Sequence, residues 1–406
     1  MRELRVLREA ELAAYVIQCG ETFGGSTPKP EAVEERAKRL ERERCWGYFD
    51  AGELFATAGA YSLQLSLPGG VALPTAGISA VTVLPTHRRQ GALTDMMRQL
   101  LRQAAEREEP IAALYASEGA IYGRFGFGIA SYRADLELAR ERSAMKVQPE
   151  LVGIQYRQPA ASLDVLMDIE RRFVLSQPGA IAGPRAFWEH LLADDESDRS
   201  GYSNLYLVLQ APGTERAGFA LYRKDMRWTV HSPDGRLQVV ALQGLAADTS
   251  AALWRHLLDI DLVSRVSAPS QPVDSPLRHL LQDPHALIQQ VSPQLWLNLL
   301  DVPRALAGRR YQVPGKLRLE VKAGFWHEGA GVFALEGGPD GAACSRTGET
   351  ADLVLPGQSL AAAHLAGTSF TNLQRAGQVE ESRPGALALA DAMFGWPLQP
   401  WCNIGF

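Results

Sequence analysis

Apolar and polar residues follow two different rhythms along this chain, and the changes of rhythm mark its parts. Residues 46–50, 54–65 and 78–84 are apolar runs rich in aromatic and β-branched types. Pro68-Gly69-Gly70 lies between the last two, so three strands are predicted. From Gly91 to about Glu108 the apolar positions become Leu93, Met96, Met97, Leu100, Leu101 and Ala104, the spacing of a helix with one buried face. Residues 111–116, after Pro110, predict a short apolar strand. The same order returns later: strands over 205–209, 217–222 and 237–242, a helix over 249–259 capped by Thr249 or Asp248, and an extended run over 262–266. Element order alone, with negligible sequence identity, suggests a duplicated α/β plan whose copies start about 160 residues apart.

Two stretches stand outside this pattern. Residues 31–44 read as a charged helix with a thin apolar stripe at Val33, Ala37 and Leu40, either a solvated helix over one edge of the fold or a substrate lid. Residues 267–274 read as a loop in the second copy. From about Val291 the character changes, with strands over 317–321, 331–335 and 351–355 and helices over 356–365, 371–376 and 386–394. That makes 291–406 a third, α+β unit. Three parts suit a chain of 406 residues, since domains run to about 150 residues each.

Composition narrows the function. With 46% apolar and 21% charged residues the chain is an ordinary globular protein, neither disordered nor fibrous. Lys plus Arg number 41 against 46 Asp plus Glu, a net charge of −5, which disfavours nucleic acid or an anionic membrane as partner and suits a cationic ligand. Residues 1–9 alternate charged and apolar types, unlike a signal peptide, and no run of about 18 apolar residues offers a membrane span, so a cytoplasmic protein is expected. Cys19, Cys45, Cys344 and Cys402 form no C-x-x-C pair and no H-E-x-x-H occurs. No metal site is expected.

The strongest chemical signal is VTVLPTHRRQGALTDMM, residues 81–97. A strand, Val81-Thr82-Val83, runs through Pro85 into a basic turn and reaches Gly91 where the helix begins. Helix N-terminal N–H groups favour an anion, Arg88 and Arg89 add fixed charge, and Gly91 leaves room for close approach, a combination that suits a pyrophosphate. The bland reading is a solvated turn. At the other end, residues 396–406 carry Trp401, Ile404 and Phe406 beside two prolines, so the terminus is expected to be docked and buried.

The pattern Arg88-x-x-Gly91 after a strand resembles the acyl-CoA signature R/Q-x-x-G-x-G/A of GNAT N-acetyltransferases. Leu93 at its last position is a departure typical of the Eis (enhanced intracellular survival) family. The block ASEGAIYGRFGFG at 116–128, Pro303-Arg304 and the terminal Phe406 resemble that family too; over 134–290 the likeness is one of layout. The resemblance implies two tandem GNAT-like domains followed by a sterol-carrier-like α+β domain. Residues 1–133 would be catalytic, 134–290 a degenerate copy, and 291–406 the third domain, whose C-terminus completes the active site.

Carried over residue by residue, the resemblance puts acetyl-CoA against Val81, Thr82 and Val83, with Arg88, Arg89, Gln90, Gly91, Ala92, Leu93 and Thr94 around its pyrophosphate. Ser117 and Glu118 would flank the thioester arm. Tyr122 matches the general acid, although beside Phe125 and Phe127 it also reads as a core aromatic, and the carboxylate of Phe406 matches the base. In the second copy the corresponding residues, Leu242 to Asp248, lack both arginines and place Asp248 near the helix start, so that copy is expected not to bind acyl-CoA. The implied activity is acetyl transfer to primary amines of aminoglycoside, polyamine or lysine type by a homohexamer, without a metal. The alternative is a lipid or hydrophobic-ligand binding protein with a vestigial acetyltransferase domain. Glu21, Phe23, Trp46 and Trp401 are candidate cavity residues, as aromatic faces and carboxylates suit cationic amines.

Overall fold

The longest strands of the chain are two neighbours joined by Pro68-Gly69-Gly70, where both glycines take the positive φ that a tight turn needs. The computed structural model describes residues 2–25, 28–151 and 153–406. In chain order the first sheet uses β1 (Arg2–Val6), β2 (Cys45–Asp50), β3 (Glu53–Leu67), β4 (Val71–Val83), β5 (Ile111–Tyr115) and β6 (Gly128–Ile129). Helices α1 (Leu12–Thr22), α2 (Pro30–Lys38), α3 (Ala92–Glu106) and α4 (Gly119–Tyr122) lie between them.

The sheet order is β1, β2, β3, β4, β5, then Leu295–Leu299, then β6. All five residues of Leu295–Leu299 are buried, as expected of an interior strand. Alternation in β2 separates two cores: Cys45 and Phe49 face Leu12, Tyr15 and Val16 of α1, while Trp46 and Tyr48 face α3. The predicted face of α3 is buried at Met96, Met97, Leu100, Leu101 and Ala104. The charged helix ends at Lys38, and its Val33 is buried with Ala37 and Leu40 against the α1 side, so it covers the fold. Strand β4 starts at Val71, seven residues before the predicted start at 78.

The chain forms two units. One comprises 1–131, 294–397 and 405–406, the other 132–293 and 398–404. The first unit also holds a five-stranded sheet in the order Gly341–Arg346, Gly331–Gly338, Gly315–Lys322, Leu353–Pro356, Glu380–Glu381, packed with helices Gly357–His364, Phe370–Arg375 and Ala386–Phe394. Its interior contains the fully buried guanidinium of Arg309, which donates to the carbonyls of Arg310 (3.1 Å), Phe394 (2.9 Å) and His364 and lies 4.8 Å from the ring centres of Tyr311 and Phe394.

The second unit is a seven-stranded sheet in the order Leu287–Pro293, Tyr132–Ala139, Val263–Gln271, Gly235–Gly244, Gly218–Asp225, Tyr206–Gln210, Ile154–Arg157. The Ala247–Leu258 helix buries Leu253, Trp254 and Leu257 in one core; Leu166, Ile169 and Trp188 belong to another. Three expectations are corrected here. The Ala247–Leu258 helix has Ala246 as its N-cap, not Thr249 or Asp248. Residues 267–271 are strand, not loop, because Val263–Gln271 pairs with Tyr132–Ala139 across a register shift at Ala268/Gln271 that absorbs the left-handed Ser270. The third change of character does not begin at 291: that position lies inside Leu287–Pro293, a strand of the second sheet, and Leu295–Leu299 belongs to the first. No helix of the described residues is long and apolar enough to cross a membrane.

Candidate functional site

Strand β4 is paired to β5 only over Thr75–Ile78, opposite Ile111–Leu114. Beyond Ile78 it stays paired to β3, with one irregularity: between the pairs Gly59↔Ser79 and Thr57↔Thr82, β3 advances two residues and β4 three. The extra residue is a β-bulge, in which Ala80 takes φ 53°. A left-handed alanine costs roughly 1–2 kcal/mol, so the bulge needs support. It comes from a one-way chain of buried donors. Thr57 Oγ1 donates to the Ala80 carbonyl (2.8 Å), Thr82 Oγ1 lies 2.6 Å from Thr57 Oγ1, and Gln18 Nε2 donates to Thr82 Oγ1 (3.0 Å). The predicted Val81-Thr82-Val83 run therefore follows the bulge, with the Thr82 side chain committed to the core. Only its backbone is left to face a ligand.

The loop after β4 places charge and dipole together. Arg89 (φ 61°) and Gly91 (φ 92°) are both left-handed, and α3 starts at Ala92 with no side-chain cap. Its first amides, those of Ala92, Leu93 and Thr94, have no carbonyl within the helix to receive them. A Cβ built on Gly91 meets nothing within 4 Å, so the glycine is required by its φ and not by crowding. Arg88 and Arg89 are exposed and form no ion pair among the described residues, although Arg88 Nε donates weakly to the Val83 carbonyl at 3.3 Å. Gln90 braces the loop, taking Arg2 as donor and donating to the Thr86 carbonyl. Leu93 packs on the core with Ala92, and Asp95 is engaged by Arg98 and Tyr48. Two left-handed residues ahead of an uncapped helix, beside two cations, form an anion cradle.

Strand β5 leads directly into the second block. Ser117 and Glu118 are exposed, and one short helix later the ring of Tyr122 is buried, 6.3 Å edge-on from Phe127. Its hydroxyl takes no partner among the described residues. Burial, helped by the charge of Glu118, pushes this phenol above its ordinary value of 10, so it holds its proton at neutral pH. The ring of Phe406 lies 5.0 Å from that of Tyr115, at the end of β5. Gly77 makes this possible, since a Cβ there would come within 3.0 Å of Phe406 Cδ2. Phe406 itself is half-buried and Gly405 exposed, while Trp401, Cys402 and Ile404 are buried, so burial of the terminus stops short of its last two residues.

The four candidate cavity residues lie in three separate parts of the chain. Glu21 and Phe23 are exposed at the end of α1, Trp46 packs under α3 with its indole N–H 3.4 Å from Gln103, and Trp401 is buried in the second unit, donating to the Ser270 carbonyl. Sequence reasoning missed Gln18 and Thr57. Their only signal is a polar residue inside an apolar run. In the second unit the strand Gly235–Gly244 reaches its helix through Leu245 and Ala246 alone, where the first unit uses the whole loop 84–91; Asp248 pairs with Arg216, and a Cβ on Gly244 would meet Ser250 Oγ at 2.5 Å. No cradle forms there. Among the described residues His190, Asp195 and Asp198 gather within 4.8 Å of one another, at the surface of the second unit and apart from these residues in sequence.

Known proteins share this plan. Models described as acetyltransferase (GNAT) domains match residues 3–130 and 179–299, and a sterol carrier protein domain matches 302–403. A Streptomyces avermitilis protein named an uncharacterized N-acetyltransferase is 38% identical over 100% of this chain and 99% of its own. N-acetyltransferase Eis of Mycobacterium bovis is 34% identical over 82% of this chain and 81% of its own. The crystal structure of Eis1 from Mycobacterium abscessus superposes with a TM-score of 0.87 at 32% identity, covering all of both chains. With identity at this level along the chain and a common architecture, the protein belongs to the Eis family of GNAT N-acetyltransferases and is an acetyl-transferring enzyme.

Proposed function

We propose that the chain transfers the acetyl group of acetyl-CoA to primary amines of cationic molecules, of aminoglycoside, polyamine or lysine type, by direct attack of the amine on the thioester. The observation that carries this reading is the cradle of Arg88, Arg89, Gly91 and the uncapped start of α3, which fits a pyrophosphate by charge and by unpaired amides. Those residues, with Gln90 bracing the loop and Ala92, Leu93 and Thr94 offering amides, would hold the phosphates. The backbone of Val81, Thr82 and Val83 would run beside the pantetheine amides like an added strand, flanked by Ser117 and Glu118.

Acetyl-CoA supplies the acetyl group on a good leaving thiolate. In this reading the carboxylate of Phe406 holds the cationic amine and accepts its proton, directly or through water, because an ammonium of pKa near 10 has no lone pair to attack with. A C–N bond forms as the C–S bond breaks, and Tyr122 gives its proton to the departing sulfur. A phenol kept protonated by burial suits that role. The reading divides the chain into a catalytic part over 1–133, a second GNAT-like part from 134 onward and a sterol-carrier-like part that begins beyond Leu295–Leu299, the strand received by the first sheet. It also takes the protein to be a cytoplasmic homohexamer, and light scattering at the 44.3 kDa of one subunit would overturn assembly. The alternative, a lipid carrier with a vestigial catalytic part, is disfavoured by the buried Arg309 guanidinium inside the five-stranded part.

The test is a thiol-release assay with acetyl-CoA and a panel of aminoglycosides, polyamines and lysine peptides. Turnover on cationic amines with mass-confirmed N-acetyl product supports the reading. No turnover on any amine, together with a co-purifying lipid, overturns it in favour of the carrier.

A further inference from the structure

We infer that Thr57, acting through Thr82 and Gln18, is a positioning residue for acetyl transfer: it sets the course of β4 at Val81–Val83 by holding the left-handed bulge at Ala80. The inference rests on the reading that this stretch of β4 runs beside the thioester arm. Thr57 lies on β3, is wholly buried, and its hydroxyl bonds within the β3–β4–α1 cluster and not to the cradle residues 88–94. Its one hydroxyl proton goes to the Ala80 carbonyl, so the hydroxyl of Thr82 must donate to Thr57, and the Gln18 amide must donate to Thr82. Each hydroxyl proton in the chain has one destination, and the order ends on the bulge. The other group in reach is the Cys19 thiol, 3.6 Å from Thr57 Oγ1 and 3.9 Å from the Ala80 carbonyl. Burial pushes it up to about 11, so it stays a neutral, weak donor.

A bulge bends its strand and increases the local twist, and here it sits just past Ile78, the last β4 residue paired to β5. Loss of the hold on Ala80 lets the strand relax toward regular pairing, which turns the amides of Val81 and Val83 to a new direction. The phosphate cradle is a separate structure, built on the loop and α3. The positioning effect therefore falls mainly on the acetyl-transfer step, while the phosphate contacts that anchor the cofactor stay in place.

The experiment compares Thr57→Val, which keeps shape and removes the hydroxyl, with Thr57→Ser, which keeps the hydroxyl, and with Gln18→Leu as a milder break at the far end of the chain. Thr57→Val is expected to lower kcat about tenfold with the acetyl-CoA KM within twofold of wild type, and Thr57→Ser to stay within threefold of wild-type kcat. Amide hydrogen exchange is expected to rise in peptides covering 79–84 and to stay unchanged over 92–106. Gln18→Leu follows the same pattern with a smaller amplitude and carries the test if Thr57→Val melts too low to assay. Wild-type kcat in both Thr57→Val and Gln18→Leu, a parallel fall in Thr57→Ser, or unchanged exchange at 79–84 overturns the inference. A wild-type protein that acetylates no amine overturns the functional reading instead, and the exchange result still decides whether Thr57 holds the bulge.

Discussion

Replacing Arg88 and Arg89 together by Ala tests the cradle without disturbing the fold. Both side chains are exposed, neither forms an ion pair among the described residues, and the one weak contact, Arg88 to the Val83 carbonyl at 3.3 Å, contributes little. Alanine at 89 inherits the same φ of 61° as arginine, so backbone strain does not change. What is lost is two charge-assisted contacts, worth roughly 1.5–3 kcal/mol each. Exposure and salt screening argue for the lower end, so about 3 kcal/mol for the pair, or roughly a 150-fold rise in the acetyl-CoA KM at 1.36 kcal/mol per decade. The assay is initial rate against acetyl-CoA at saturating amine, with calorimetric titration of CoA as a binding measurement independent of turnover. Raising the salt should narrow the gap, because only the wild type has charge to screen. A KM and a CoA affinity within threefold of wild type at low salt would refute the pyrophosphate assignment.

Tyr122→Phe keeps the buried ring and removes one proton; kcat should fall by roughly 10²–10⁴ while CoA still binds, and near-normal kcat makes Tyr122 a packing residue. One glycine appended after Phe406 moves the carboxylate and keeps every side chain, so the protein should fold and bind CoA yet lose turnover; full activity rules the carboxylate out as base. Burial opposes ionisation of Asp352, but hydrogen bonds from Arg383 and Arg318 outweigh it and hold the carboxyl down to about 2, below the unfolded value near 3.8. Its stabilisation is therefore present above about pH 4 and is lost as pH falls toward 2. Asp352→Asn should cost about 2 kcal/mol at pH 7 and progressively less below pH 4, read from denaturant midpoints, and a pH-independent difference sinks the argument. Gly128→Ala would place a Cβ 1.9 Å from the Gln358 carbonyl oxygen, a backbone atom that cannot step aside, so the melting temperature should drop by several degrees or the protein fail to fold.

What the sequence revealed depends on how local each signal is. The six apolar positions of α3 and the Arg88-to-Gly91 turn are legible because spacing and residue type suffice. Residues 71–77 of β4 escaped because Pro74 argues against a strand. It is tolerated because β5 pairing starts only at Thr75, so the missing N–H interrupts no ladder on that side. The strand Gly341–Arg346 escaped because Gly-Ala-Ala-Cys has little strand preference; it is an edge strand held by its hairpin with Gly331–Gly338. Leu295–Leu299 also escaped: it is only five residues long, and nothing within it says which sheet receives it. The bulge and its hydrogen-bond chain were invisible for the same reason. Thr57, Thr82 and Gln18 are far apart in sequence, and only the folded sheet brings them together.

The place of Leu295–Leu299 between β5 and β6 has a consequence for how the protein is made. Everything else in that sheet leaves the ribosome by Ile129, yet the strand that joins β5 to β6 follows about 170 residues later. At roughly 5–20 residues per second that is a delay on the order of ten to thirty seconds. During it the apolar edge of β5 has no partner on one side, which is the situation in which a nascent chain recruits a neighbour's strand. Slow translation or a truncated message that stops before residue 299 should therefore yield aggregates seeded by the first part of the chain. Expressing the N-terminal part alone should fail for want of five residues that lie about 170 positions downstream of Ile129.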